Sequence, residues 1–328
     1  MKRREVVALI GRTVFWPFNA TAQQPKRIRQ VGVLMSYLED EAEAQEWVRV
    51  FIGALEDLGW RDAVNLKLHY RWRGADPNAL QANATELAGM GLDAVLVGAT
   101  PAAIALKRVT QSVPVVFANV ADPVGQGLVI SLAQPGGNMT GFGAFEFSIA
   151  GKWVQGLKHL IPSAKQFGVV VNPETAPFYG NFLPFIQKAA EEVGVVPHLT
   201  QIDTVDQIVG TIEQLARETQ GLVVLPGAQF TTNKELILST VGRLGMPAMY
   251  SYTFWVKSGG LISYGFDIND MYRRAASYMN LILKGARVQD LPVQYPTQFQ
   301  LAINLKTARD LSITVPSSLL ASADEVIE

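Results

Sequence analysis

The chain has 328 residues, which suggests about two domains. Apolar residues make up 48% and charged residues 17%, enough to build real cores, and the formal net charge of −1 leaves no basic footprint for nucleic acid. No apolar run approaches the ~18 residues of a membrane span. With no cysteine there is no thiol nucleophile, no thiolate metal site and no cysteine-linked lipid anchor.

The chain opens with Lys2-Arg-Arg4, apolar stretches at 6–10 and 14–18, and Ala20-Thr-Ala22 ahead of Gln23. A positive start, an apolar stretch and an A-x-A site are the order of a cleavable export signal, so residues 1–22 are expected to be removed. Arg12 interrupts the apolar stretch and is the departure from that pattern. Arg3-Arg4 also suits a twin-arginine signal, so the export route stays open.

A first apolar strand, Val31-Gly-Val-Leu-Met35, leads into a polar loop and a helix ending at Gly59. Asp93-Ala-Val-Leu-Val-Gly98 is a second strand, and Pro114-Val-Val-Phe-Ala118 a third. Mid-chain the order recurs: Phe167-Gly-Val-Val-Val171, a helix ending at Gly194, Gly221-Leu-Val-Val-Leu225 and Pro247-Ala-Met-Tyr-Ser251. Strand glycine to helix-end glycine is 27 positions in one copy (32 to 59) and 26 in the other (168 to 194). The strands are continuous apolar runs, which suits parallel sheets covered on both faces. Two similar β-α-β-α-β halves predict an α/β fold: two doubly wound parallel-sheet lobes joined by a multi-strand hinge.

The predicted division is 28–142 plus 261–292 for one lobe and 143–260 plus 293–328 for the other. Pro135-Gly-Gly-Asn-Met-Thr-Gly141 reads as a turn or linker at the boundary. Gly259-Gly-Leu-Ile-Ser-Tyr-Gly265 is expected to carry the chain back to the first lobe, with helix 270–284 packing there. Segments 292–296 and 299–303 return it to the second lobe. Several separate crossings suit closure around a ligand.

In open α/β sheets ligands sit outside the carboxyl ends of the strands. The residues expected there are Ser36, Tyr37, Thr100, Asp122, Asn172 and Gly227, with Tyr250 and Tyr264 as aromatic walls. Thr100 before Pro101 reads as a helix N-cap, whose first-turn N–H groups suit a carboxylate. Asp122 is the expected partner of a ligand ammonium. Ordinary capping explains each of these singly; the set on two lobes favours a ligand. Glycine-rich phosphate loops, serine-hydrolase elbows and zinc-helix motifs are absent from the sequence, and His69, His159 and His198 lie far apart. No catalytic residue, metal site or cofactor is expected.

The chain also resembles a known family over nearly its whole length. Gly98-Ala-Thr-Pro-Ala102, Asp122-Pro-Val-Gly125, the 135–141 and 259–265 stretches, Tyr272-Arg-Arg-Ala-Ala276, Ile303-Asn-Leu-Lys-Thr-Ala308 and Val315-Pro-Ser-Ser-Leu-Leu-Ala321 carry the resemblance. It is to the substrate-binding proteins of ABC transporters, in the family that includes tryptophan-binding members. That resemblance implies a type I periplasmic-binding fold, a three-stranded hinge and no catalysis. It also implies an amino acid or related small carboxylate as ligand, and ABC permease subunits as partners. The expected protein is periplasmic, soluble and monomeric, with no nucleic-acid partner. A two-lobed sensory domain and an α/β enzyme with a nonstandard site are the rival readings.

The signal reading predicts a mature N-terminus at Gln23. Edman sequencing of protein recovered from the host periplasm tests this, and an intact Met1 there would refute it.

Overall fold

A computed structural model describes residues 27–72 and 76–328; the segment read as an export signal lies outside them. The first lobe runs β1 (Arg29–Met35), α1 (Ala42–Asp57), β2 (Leu66–Trp72), α2 (Pro77–Gly89), β3 (Ala94–Gly98), α3 (Thr100–Val109), β4 (Val115–Val120) and β5 (Met139–Gly143). Its sheet is wholly parallel in the order β2-β1-β3-β4-β5. Every residue of β3, β4 and β5 is buried, which explains why these strands are apolar runs rather than alternations.

The second lobe repeats the plan. It runs α4 (Ile149–Leu160), β6 (Gln166–Val171), α5 (Leu183–Val193), β7 (Val196–Gln201), α6 (Gln207–Glu218), β8 (Leu222–Val224), α7 (Ala228–Thr232), α8 (Lys234–Arg243), β9 (Ala248–Tyr250), α9 (Thr253–Lys257) and β10 (Ile262–Gly265). The chain then forms α10 (Ile268–Leu283), β11 (Gln300–Asn304), α11 (Leu305–Asp310), α12 (Ser317–Ala321) and β12 (Glu325–Ile327). The second sheet is ordered β12-β11-β10-β9-β8-β6-β7, so β7-β6-β8-β9-β10 mirrors the first sheet strand for strand. Only β11 runs antiparallel to its neighbour β10.

The duplication is therefore real, but each half holds one more strand–helix unit than the apolar runs indicate. The extra strands are β2 and β7, the sheet edges. Their residues are mostly half-buried or exposed, so they carry Lys67, His69, Arg71, Pro197, His198 and Gln201 instead of an unbroken apolar run. Helix ends match expectation better: Gly194 closes α5 in a left-handed conformation at φ 68°.

Two expectations about the crossings need correction. The stretch 135–141 is not wholly a linker, because Met139–Gly143 is strand β5, paired with β4. Its glycine is a packing device: Gly141 stands opposite Phe117 at φ 147°, and a Cβ there would lie 2.0 Å from the Phe117 carbonyl oxygen. The strand within 259–265 does not return the chain to the first lobe either. It is β10, inside the second sheet, and the return comes just after it. The crossing reaches α10, whose Met271, Tyr272, Ala275, Ala276 and Met279 are buried at helical spacing. Tyr272 stacks on Trp47 of α1 with centroids 5.9 Å apart, and Trp60 Nε1 donates to Asn280 Oδ1 at 3.1 Å. A third crossing, around Val293-Gln294, runs beside the end of β5: Gly143 N–H donates to Gln294 O at 2.8 Å, and Gln294 N–H to Gly141 O at 3.0 Å.

Gly141→Ala is expected to lower stability by at least about 2 kcal/mol, because the methyl has no space and the φ is wrong for alanine. Chemical denaturation of both proteins measures it; an unchanged midpoint would show that β4 and β5 separate more easily than their register implies.

Candidate functional site

The carboxyl ends of the two sheets face each other and enclose about 330 Å³ of atom-free space, part of it open to solvent. Tyr37, Ala99, Thr100, Pro101, Asn119 and Ala121 line it from the first lobe. Thr175, Phe178, Pro226, Gly227, Ala228, Thr231 and Tyr252 line it from the second. Ala144 and Phe145, on the crossing after β5, complete the wall.

Asn119 organises the first-lobe side. The β4–β5 pairing slips by one residue between Ala118 and Val120, and Asn119 sits in that irregularity at φ 58°. A bulge re-aims a side chain, and asparagine tolerates this left-handed conformation better than most residues. The result is a bridge between lobes: Tyr252 Oη donates to Asn119 Oδ1 at 3.1 Å, while Asn119 Nδ2 donates to Tyr37 Oη at 3.4 Å. Burial raises the pKa of both tyrosines, so both remain phenols able to donate. Ala99 has φ 71°, another position where an L side chain is rarely found. Strain gathered at strand ends is what a preorganised ligand site shows.

Thr100 lines the cavity, as expected, but it is not the N-cap. It is the first residue of α3, and Ala99 precedes it as the cap. Its Oγ1 accepts from the Ala121 N–H at 3.0 Å, pinning the loop after β4. The capping oxygen comes instead from Ser36, whose Oγ accepts from the Ala102 N–H at 2.9 Å. Pro101 has no N–H, and Ala103 N–H bonds to Ala99 O, so the first turn keeps only the Thr100 N–H for a ligand.

The other expected residues divide. Tyr37 and Gly227 line the cavity; Ser36, Asp122, Asn172, Tyr250 and Tyr264 do not. Asn172 is a loop organiser: its Oδ1 accepts from Thr175 N–H and Oγ1, and its Nδ2 donates to Ile202 O. Through these bonds it positions Thr175, which does reach the cavity. Tyr250 is buried in the second lobe, stacked on Trp255 at 4.8 Å. Tyr264 stacks on Phe299 at 6.0 Å, in a surface depression with His159 and Leu319.

Asp122 stands at the cleft rim. Its Oδ1 accepts from Gly125 N–H at 3.0 Å, closing its own turn, and its Oδ2 accepts from Asn181 Nδ2 of the second lobe at 2.9 Å. Two further links join the lobes. Glu41 Oε1 accepts from Thr232 Oγ1 at 2.8 Å and from Leu38 N–H, and Glu43 pairs with Lys234. Burial pushes the Glu41 carboxyl above the ordinary carboxylate range, opposed by those two donors.

Sequence reasoning missed Asn119, Phe145, Phe178, Thr175 and Thr231. Asn119 carried a signal, as a lone amide inside an apolar run. Phe145 is the aromatic hub, within 6.0 Å by ring centroid of Trp153, Phe182, Tyr252 and Phe266.

A family model described as ABC transporter substrate binding protein matches residues 31–327. A tyrosine-binding protein from Clostridioides difficile strain R20291 is 26% identical over 294 residues, covering 88% of this chain and 82% of that protein. The crystal structure of an ABC domain in complex with L-Trp from Streptococcus pneumonia is similar with a TM-score of 0.83 and 26% identity, over 91% of this chain and 99% of that one. A conserved domain protein from Vibrio cholerae O1 biovar eltor gives a TM-score of 0.85 at 26% identity, over 92% of this chain and all of that one.

Because Asn181 bonds across the cleft without lining the cavity, Asn181→Ala is expected to weaken ligand binding by about two- to tenfold, the worth of one hydrogen bond. The melting temperature should hardly move, since the bond is exposed. Calorimetry on the folded variant checks this, and a wild-type affinity would mean the Asp122–Asn181 contact does not bear on closure.

Proposed function

This chain belongs to the ABC transporter substrate-binding protein family, and we propose that it is an exported solute receptor that closes on a small ligand and presents it to membrane permease subunits. The observation that carries this reading is the cavity itself. It is built from the carboxyl ends of both sheets and from the Phe145 crossing, so occupancy and lobe position are mechanically one event.

The ligand we propose is a small organic carboxylate with an apolar or aromatic body, an amino acid or a relative of one. Tyr37, Phe145, Phe178 and Tyr252 supply flat apolar area, and the Thr100 N–H with nearby hydroxyls supplies donors for an anion. The similar proteins named for tyrosine and in complex with L-Trp point the same way. The working compartment in this reading is the periplasm, reached by removal of residues 1–22, and the working unit is a monomer. Among the described residues no helix is long and apolar enough to cross a membrane.

Mass spectrometry of solute retained through native purification, before and after incubation with the protein, tests the role. A receptor returns its solute unchanged, whereas chemical conversion would favour an enzyme. Small-angle scattering should show a smaller radius of gyration when the purified protein is saturated with that solute. An identical profile with and without solute would count against a closing clamshell.

A further inference from the structure

Among the described residues no charged side chain lines the inter-lobe cavity, but one carboxylate stands against its wall with an oxygen unused. Glu41 is fixed through Oε1, which accepts from the Leu38 N–H at 2.7 Å and from Thr232 Oγ1 at 2.8 Å. Those donors are the chain neighbours of Tyr37 and Thr231, which line the cavity from opposite lobes. The carboxylate therefore sits at the seam between two lining residues. Its Oε2 is shut off from solvent and meets no donor among the described residues.

A buried carboxylate with an unpaired oxygen is costly unless a donor or a cation meets it. The chain's own groups nearby are committed elsewhere. Lys234, on the same stretch of the second lobe as Thr232, pairs with Glu43 and donates to Ser258 Oγ at 2.7 Å. Asp122, the other carboxylate at the cleft, already has both oxygens engaged, by Gly125 N–H and Asn181 Nδ2. The surroundings of Glu41 are also negative. Burial raises its pKa first, and the carboxylates of Glu43 and Asp40 push the same way. Glu41 is close enough to Tyr37 for its charge to add to the effect of burial on that phenol. A neutral donor would satisfy Oε2 but leave this excess charge in place. A protonated amine brings up to three N–H donors and the opposite charge together.

We propose that Glu41 is the counter-charge for a protonated amine on the solute, Oε1 staying with Leu38 and Thr232 while Oε2 takes the ammonium. The proposal rests on the receptor reading and names the residue that recognises the amine. Thr232 belongs to the second lobe, so Glu41 has both of its anchors only when the lobes meet. Recognition of the amine and closure therefore reinforce each other.

Calorimetry on protein freed of retained solute compares two pairs that differ only in the amine: L-tyrosine against 3-(4-hydroxyphenyl)propionate, and L-tryptophan against indole-3-propionate. In at least one pair the wild-type protein is expected to bind the amino acid at least about tenfold tighter than its partner. Glu41→Gln keeps an oxygen for Leu38 and Thr232 and removes the charge. It should weaken the amino acid of that pair by about ten- to a hundredfold, as loss of a charge-assisted hydrogen bond does, and leave the desamino acid within about twofold.

The proposal is overturned if the wild-type protein binds neither amino acid, or binds both members of each pair equally. It is also overturned if folded Glu41→Gln weakens both members alike, or neither. Glu41→Ala serves where the glutamine variant does not fold. It drops the Oε1 bonds as well, so both members should weaken, but the preference for the amino acid must still collapse; a preference that survives overturns the proposal. The receptor reading falls separately, if the wild-type protein retains no component of a host-cell extract by native mass spectrometry.

Discussion

The amide of Asn119 is the contact on which the site depends. It touches a phenol from each lobe, Tyr37 on one side and Tyr252 on the other, and it does so from a bulged position in β4. Without the bulge the strand would continue its alternation and direct this side chain onto a face of the sheet rather than into the cleft. The cost is a left-handed φ of 58°, within the range that asparagine tolerates. Tyr252 in turn meets Phe145, and Phe145 is carried by the crossing between lobes. One irregularity in one strand therefore connects both walls of the cavity to the hinge.

Charge in the cleft is arranged around this core rather than within it. Glu43–Lys234, Glu41–Thr232 and Asp122–Asn181 all join the lobes outside the cavity lining. Lys234 also lies over the Phe254 ring at 5.8 Å, and Phe254 packs against Trp47 of the opposite lobe. A partly buried pair of this kind depends on geometry that exists only when the lobes meet. Orientation is set at the rim, and the interior is left to rings, hydroxyls and amides.

How much of this was legible follows from what burial does to sequence. β3, β4, β6 and β8 lie inside their sheets, so their apolar runs and the repeat they form could be read directly. β2 and β7 are half wet and wrote no such run. Met139–Gly143 carries the glycine of a linker because its backbone presses on Phe117, a reason visible only once β4 lies beside it. At the site, strand-end position was a sound guide to neighbourhood but not to direction. Ser36, Thr100 and Asn172 are all at the expected ends, yet their side chains hold loops and a helix terminus together. Tyr250 and Tyr264 illustrate the other difficulty. Tyr250 is the last residue of β9 and stacks on Trp255 in the second-lobe core, whereas Tyr252 lies past the strand end, out of the pleat, and reaches the cleft.

The neutral lining also bears on how closure is driven. When charged groups line a cleft, shutting it without ligand strips water from those charges, and the empty closed state is strongly disfavoured. Here the cavity wall that closure desolvates is rings and dipoles, several of which find partners across the gap, as Tyr252 does with Asn119 and Phe145, while at the rim Glu43 and Lys234 lose water and gain each other. A ligand shifts the population only by the difference between its contacts in the two forms. Tyr37, Thr100 and Asn119 line the cavity from one lobe and Phe178 and Tyr252 from the other, so a ligand that touched both walls would do so only with the lobes together.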